Sequence, residues 1–457
     1  MQAIQEFLLP IVQNINTYLS DYILIVLLVG MGLLFSIKTR FVQIRCFGEG
    51  MKSVFGNISF FGGTQHGGIT SFQALATAVA AQVGTGNIIG ASGAILVGGP
   101  GAIFWMWIIA FFGMATIYAE AVLAQDTRIV HEDGSVSGGP VYYIHKAYKG
   151  AFGKFLAVFF AIAIILALGF MGCMVQSNSI GAVCSTALGL PSWLIGAVIT
   201  LISAFIFLGG VQRIAAVTEK LVPFMAVLYI FGGLLLILSR FQYIPEVFGL
   251  IFKYAFHPDA IIGGSVGIAL KTAISQGAKR GLFSNEAGMG STPHAHAMAK
   301  VNAPHDQGVV AMIGVFIDTF VVLNMTAFVV ISTLYAGNGP LAAGAAEGIN
   351  KTNMAQLAFS TMLGSGFGSF FVALCLLFFA FSTILSWNFF GKLNVEYLFG
   401  KKAVPVYSII SLCFIMLGSC LSNDLVWELT DMFNNIMVIP NALALIALAG
   451  VVKKLAK

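Results

Sequence analysis

The sequence predicts an all-α polytopic membrane protein of about 11 transmembrane helices, one in front and ten behind it in two sets of five. Three observations predict it. Apolar residues make up 58% of the chain and charged residues only 9%, whereas a soluble domain carries about 25% charged residues. Mean hydropathy is +0.92, and apolar runs of bilayer-spanning length recur from residue 23 to residue 452. Two of these runs are interrupted by glycines beside polar residues, and they stand at corresponding places in the two sets.

The elements follow in order. Residues 1–19, "MQAIQEFLLPIVQNINTYL", read as an interfacial helix. No Lys or Arg precedes Lys38, which argues against a cleaved leader. The expected spans are 23–37, 68–97, 102–124, 155–186, 193–208, 215–238, 261–298, 309–334, 367–393, 404–421 and 425–452. They form one transmembrane domain. Residues 1–60 hold the interfacial segment, the extra helix and a basic loop; 67–240 are the first repeat and 261–452 the second. Five is odd, so the second set enters the membrane from the opposite side, as an inverted repeat.

Charge sets the orientation. Loops on one side carry 17 Lys and Arg, among them Lys38, Arg40, Arg45 and Lys52 after span one and Lys453, Lys454 and Lys457 at the end. The other side carries three, Arg240, Lys253 and Lys351. The positive-inside rule places the N-terminus outside and the C-terminus inside. The net charge of +5 lies in these loops and is no nucleic-acid signal. Cys46, Cys173, Cys184, Cys375, Cys413 and Cys420 are scattered without CxxC or Cys/His spacing. They read as inert packing residues, with no disulfide framework and no zinc site. His294 and His296 in "PHAHAM" are two apart, and that spacing does not converge on one metal from a helix.

Spans two and seven are the broken ones. Span two contains "VGTGNIIG" (83–90) and span seven "RGLFSNEAGMGS" (280–291). Gly costs about 1 kcal/mol relative to Ala inside a helix. Close helix packing explains Gly90, Gly93 and Gly98. It does not explain Thr85 and Asn87 among glycines, nor Ser284, Asn285 and Glu286 beside Gly288 and Gly290. Unwound backbone at membrane depth faces protein or a wet cavity, and paired breaks in two halves point to a transporter site. A dinucleotide fingerprint is excluded, because the third glycine position falls on Ile89 and no βαβ context exists.

Four motifs in order resemble the alanine or glycine:cation symporters, also called sodium:alanine symporters. They are "GGITSFQALATAVAAQVGTGNIIGAS" (67–92), "GGPGAIFWMWIIAFFG" (98–113), "SGGPVYYI" (137–144) and "RGLFSNEAGMGS". The resemblance covers nearly the whole chain. It implies the amino acid–polyamine–organocation superfamily, a LeuT-like fold, and uptake of alanine and glycine with Na⁺ across the inner membrane of a prokaryote. It implies no enzyme activity and no organic cofactor, and the chain is expected to work as a monomer.

A zwitterionic amino acid needs donors for its carboxylate and acceptors for its ammonium. Half-helix ends offer free N–H groups. The backbone of Thr85, Gly86 and Asn87 and the Thr85 hydroxyl are expected at the carboxylate. An unwound stretch of Phe283, Ser284 and Asn285 is expected at the ammonium. Asn87 and Asn285 can alternatively cap helix ends, and Asn87 could also reach a second cation. Superfamily analogy makes Trp387, four residues after Thr383, a pocket wall; Phe170, Gln176, Phe283 and Met289 are further candidates. Na⁺ wants about five or six oxygens, by extension from other hard cations. The same analogy supplies the carbonyls of Ala80, Val83 and Phe379 and the hydroxyls of Ser382 and Thr383. Those hydroxyls can instead bond back to their own helix.

Charges within spans are costly and usually functional or paired. Glu286 is expected to brace the break by accepting backbone N–H groups, and Arg280 and Glu120 to form part of a gate. The mechanism expected is alternating access. The rival is a proton-coupled amino-acid transporter of the same fold, with Glu286 or Asp318 as the titrating group. An enzyme or channel is the more distant alternative, and no nucleophile, base or metal constellation supports it.

Overall fold

The computed structural model describes residues 2–56, 70–132, 134–208, 210–256, 266–342 and 347–456. Residues 57–60 of the expected basic loop, and 68–69 and 261–265 at the expected starts of spans two and seven, lie outside these. Among the described residues, eight helices are long and apolar enough to cross a membrane. The bent pair Ser71–Gln82 and Gly86–Gly98, which meet at 46°, makes a ninth when counted as one broken span. Two expected spans fall short of the same measure. Ser192–Phe207 is apolar but only 16 residues long, and Val266–Asn285 carries Lys271, Lys279 and Arg280. The all-α expectation needs one small correction: Ile129–Val130 pairs antiparallel with Val136–Ser137 in the loop behind span three.

The opening segment is not a separate helix. Gln5–Lys38 runs as one helix of 34 residues through a π-helical turn at Leu19–Leu24. At 1.5 Å per residue it is about 51 Å long against a hydrocarbon layer of about 30 Å. It docks on the helix Asn423–Ala447. Asn16 donates to the Glu428 carboxylate at 2.6 Å and to its carbonyl at 2.8 Å, and Asn435 donates to Ser20 at 2.7 Å.

The helix Gly101–Thr127 is buried along most of its length. It packs between the first turns of Pro304–Leu334 and the helix Val266–Asn285. A Cβ added at Gly277 would stand 2.4 Å from the Trp105 Cβ, so the small residue sets that close approach. The tightness of this packing fixes where Glu120, on Gly101–Thr127, meets the second break.

That break lies slightly later than the sequence suggests. Phe283, Ser284 and Asn285 are still helical, and the chain leaves the helix at Glu286 before resuming at Pro293–Ala297. The cause is local. Glu286, Gly288 and Gly290 take φ of 58°, 88° and 83°, and the Asn285 side chain caps the turn by accepting from the Ala287 N–H at 3.1 Å. A left-handed conformation is natural for glycine but strained for Glu286. Its carboxylate is held by the Ser291 hydroxyl and the Trp387 indole N–H.

The brace expected of Glu286 is made by Glu120 instead. Its two oxygens accept the N–H groups of Gly288 at 3.0 Å and Gly290 at 2.9 Å. Asn441 donates to Glu120 at 2.7 Å and to the Gly288 carbonyl at 2.9 Å, and Tyr143 donates to Asn441 at 2.5 Å. Each buried N–H left without a partner costs about 1–3 kcal/mol. Glu120→Ala strips two of them, so the detergent-purified variant should melt several degrees below wild type by intrinsic tryptophan fluorescence. An unchanged melting temperature would show that the turn does not depend on this carboxylate.

Candidate functional site

The first break begins where Ser71–Gln82 ends. That helix opens with a capping box, Thr70 and Gln73 each bonding the other's backbone N–H. It stops because Val83 turns to φ −79°, ψ 87°. Side chains then take over the exposed backbone. Gly84 N–H donates to the Asn87 amide oxygen at 3.0 Å, and Thr85 N–H to the Gln176 amide oxygen at 3.1 Å. The Asn87 carbonyl accepts from Thr326 at 2.6 Å. Asn87 thus caps the break, one of the three roles expected for it alongside the carboxylate site and a second cation.

Two glycines are set by contact rather than by φ. A Cβ at Gly84 would stand 2.5 Å from the Thr383 hydroxyl, and one at Gly86 would stand 3.0 Å from the Ser284 Cα. The first break thus touches span nine at Gly84 and the end of Val266–Asn285 at Gly86. Gln82 closes the junction by donating to the Asn285 carbonyl at 2.8 Å. That carbonyl, expected to face an ammonium, is already engaged.

Between the first break and the helix Ser365–Phe399 five oxygens converge. The Thr383 hydroxyl lies 2.8 Å from the Ala80 carbonyl, 3.5 Å from that of Val83 and 3.0 Å from that of Phe379. The Ser382 hydroxyl lies 2.8 Å from the Phe379 carbonyl and 3.5 Å from that of Ala80. Both hydroxyls reach back to their own helix and across to the broken one. All five residues are buried. The set holds neutral, hard oxygens alone, the donor chemistry that suits an alkali cation.

Two polar atoms beside this cluster are buried and make no hydrogen bond to the described residues. They are the Thr85 hydroxyl and the Gln176 amide nitrogen. Thr85 stands between Gly84 and Gly86, and the Gln176 nitrogen would lie 3.3 Å from a Cβ at Gly84; a buried polar atom without a protein partner marks a place where a ligand or water bonds. The wall opposite is aromatic. The Phe283 ring meets Trp387 edge-on at 5.8 Å and lies 4.9 Å from Trp427. Trp387 is seated by Gly172, where a Cβ would come 2.4 Å from its ring. Met289 is buried inside the second break.

Phe170 does not join them. It stacks on Phe414 at 4.9 Å and lies 5.6 Å from Tyr407, against the helix Lys401–Gly418. Six residues before Gln176, it is on another face of the helix. Arg280 does not pair with Glu120 either. It makes a two-pronged bond to Asp431 at 3.1 and 2.8 Å, with its guanidinium 4.7 Å from the Trp427 ring centre. Lys279 lies 3.7 Å from the same carboxylate. His294 and His296 face different partners, Asn394 and Gln307, each at 2.8 Å.

The site residue that sequence reasoning underrated is Asp318. It sits in a π-helical turn, Phe316–Leu323, a feature common at functional sites. Its carboxylate accepts from Asn87 at 2.7 Å, from Ser284 at 3.1 and 2.9 Å, and from Thr319 at 2.9 Å. Asn285 adds a bond to Thr319 at 3.3 Å. An Asp inside an apolar run was the available signal. Its meeting with both broken helices was not readable from spacing.

Residues 5–457 match the Sodium:alanine symporter family. The sodium/alanine symporter AgcS of Methanococcus maripaludis is 40% identical over 444 residues, covering 97% of this chain and 95% of that one. GlnT of Bacillus subtilis, named for sodium/glutamine symport, is 37% identical over 450 residues, covering 98% and 90%. The fold is shared with a manganese transporter of Eremococcus coleocola, at a TM-score of 0.53 and 14% identity over 83% of this chain and 76% of that one. The two helix breaks, the oxygen cluster between the first of them and span nine, and these matches lead to one assignment. This chain belongs to the sodium:alanine symporter family, a family of transporters and not of enzymes.

Proposed function

We propose that this chain carries small neutral amino acids, alanine and glycine, inward with Na⁺ by alternating access. The observation that carries the reading is the convergence of the Ala80, Val83 and Phe379 carbonyls with the Ser382 and Thr383 hydroxyls. Na⁺ entering there takes the lone pairs of both hydroxyls and holds the first break in shape. The Thr85 hydroxyl, the Gln176 amide nitrogen and the Gly86 N–H then receive the substrate carboxylate. Because Na⁺ and substrate order the same backbone, each tightens the other by the same factor. The Phe283 and Trp387 rings limit side-chain size. The frame proposed is a LeuT-like 5+5 inverted repeat, 67–240 and 261–452, behind one extra helix. The chain works as a monomer in the cytoplasmic membrane, N-terminus outside.

Proton coupling is the alternative that one observation favours. Asp318 is a buried carboxylate whose hydrogen bonds come from the neutral side chains of Asn87, Ser284 and Thr319. A proton could ride on it in place of a cation. Uptake of labelled alanine, glycine and glutamine into proteoliposomes separates these readings, with a Na⁺, Li⁺ or pH gradient imposed alone. The Na⁺ reading expects accumulation of alanine and glycine with Na⁺ only. Accumulation driven by pH without Na⁺ would overturn it.

Two variants test the parts. Thr383→Ala removes one cation oxygen and should raise the Na⁺ concentration for half-maximal uptake tenfold or more, about 1.4 kcal/mol. Unchanged Na⁺ dependence would remove span nine from the cation site. Trp387→Ala should let leucine and methionine compete with labelled alanine, and fixed selectivity would mean that this ring is no wall.

A further inference from the structure

Outside the transport site, the loop behind span one meets the first turn of span eight. Cys46 joins the short helix Val42–Arg45 to Phe47–Phe55, and Glu49 follows in the first turn of the latter. Three residues apart at a helix start, the two side chains share a face. That helix packs closely on span eight: a Cβ at Gly50 would lie 2.8 Å from the Val309 carbonyl. His305, the second residue of Pro304–Leu334, is thereby brought opposite.

The three groups are arranged as ligands. The Cys46 Sγ, one carboxylate oxygen of Glu49 and a ring nitrogen of His305 all lie within 4.8 Å of one another. The His305 Nε2 is 3.3 Å from a Glu49 oxygen. It makes no hydrogen bond to the described residues, in a side chain only 1% exposed. The other ring nitrogen, Nδ1, is fixed by the Tyr118 hydroxyl at 2.7 Å. A metal-binding histidine is held in this way, with its second nitrogen bonded to an oxygen that sets ring angle and tautomer.

We propose that Cys46, expected from the sequence to be inert and part of no zinc site, binds a zinc ion together with Glu49 and His305. Thiolate, imidazole and carboxylate are the zinc ligand types, and three protein ligands leave the fourth position to water. Two anionic ligands neutralise a divalent ion, which suits a site that is buried on two sides and open on the third. With Nδ1–H donating to the Tyr118 oxygen, the Nε2 lone pair faces the metal. The Cys46 thiol releases its proton to solvent as zinc binds, so affinity rises with pH. Glu49 is 47% exposed on its side chain and supplies the path of entry. The ion staples the basic segment behind span one to the helix that carries Asp318 and Thr319. This inference does not depend on which solute is carried.

The test uses the purified, tag-free, metal-stripped full chain and Co²⁺ as a spectroscopic probe. One equivalent of Co²⁺ should produce a thiolate-to-metal charge-transfer band and intense tetrahedral absorption, and Zn²⁺ should displace both. Cys46→Ser should lose the charge-transfer band, whereas Cys413→Ser/Cys420→Ser should keep it. No band in the wild type, or a band that survives Cys46→Ser, overturns the site. Because Cys46 and His305 are buried, Glu49→Gln provides a change at an exposed position. It should weaken Zn²⁺ binding at least tenfold in competition with a chromophoric chelator. Unchanged affinity overturns the three-ligand site.

Discussion

Backbone polar groups at membrane depth must find partners within the protein, because lipid supplies none. Two helices of this chain are interrupted, and each interruption exposes groups that a continuous helix would pair. Their partners come from distant elements. Gln176 takes the Thr85 N–H, Thr383 bonds the Ala80 carbonyl, Gln82 bonds the Asn285 carbonyl, and Glu120 takes two N–H groups of the second turn. Spans three, four and nine are thereby tied to spans two and seven by specific bonds as well as by packing. A shift in any of them leaves a costly group unpaired.

The same economy of partners defines the site. Groups that close the breaks are also the groups proposed to engage an ion or a zwitterion. The Thr383 hydroxyl donates to a carbonyl while it caps, and it can turn its lone pairs to a cation. The Thr85 hydroxyl and the Gln176 nitrogen have no partner among the described residues to give up. Asp318 lies where Asn87 and Ser284, one from each broken helix, meet. A change of charge or hydration at that carboxylate therefore acts on both breaks at once.

Above the Phe283–Trp387 contact lies a second layer. Trp427 rests on Phe283, the Arg280 guanidinium rests on Trp427, and Asp431 holds Arg280. Lys351 lies 5.5 Å from the same indole and pairs with Asp424 at 3.0 Å. A buried ion pair adds little net stability, since desolvation offsets its attraction. Its value here is geometric, because a planar guanidinium held between an indole and a carboxylate of Asn423–Ala447 fixes how that helix meets Val266–Asn285.

Composition and hydropathy alone determined a polytopic helical protein, and glycines beside polar residues determined which two helices break. Both follow from local chemistry: apolar runs leave water, and glycine weakens a helix wherever it sits. Superfamily analogy named five oxygens as cation candidates, on Ala80, Val83, Phe379, Ser382 and Thr383, and the fold brings those five together. Tertiary structure decided the rest. Glu120 rather than Glu286 braces the second turn, since only packing brings a carboxylate to those N–H groups. Phe170 faces away because helical phase separates it from Gln176. Arg280 chose Asp431, and Cys46 met His305, through contacts between residues far apart in the chain. Periodicity reports which face of a helix is apolar. It carries no record of which other helix that face will meet, and partner choice is a property of the packed whole.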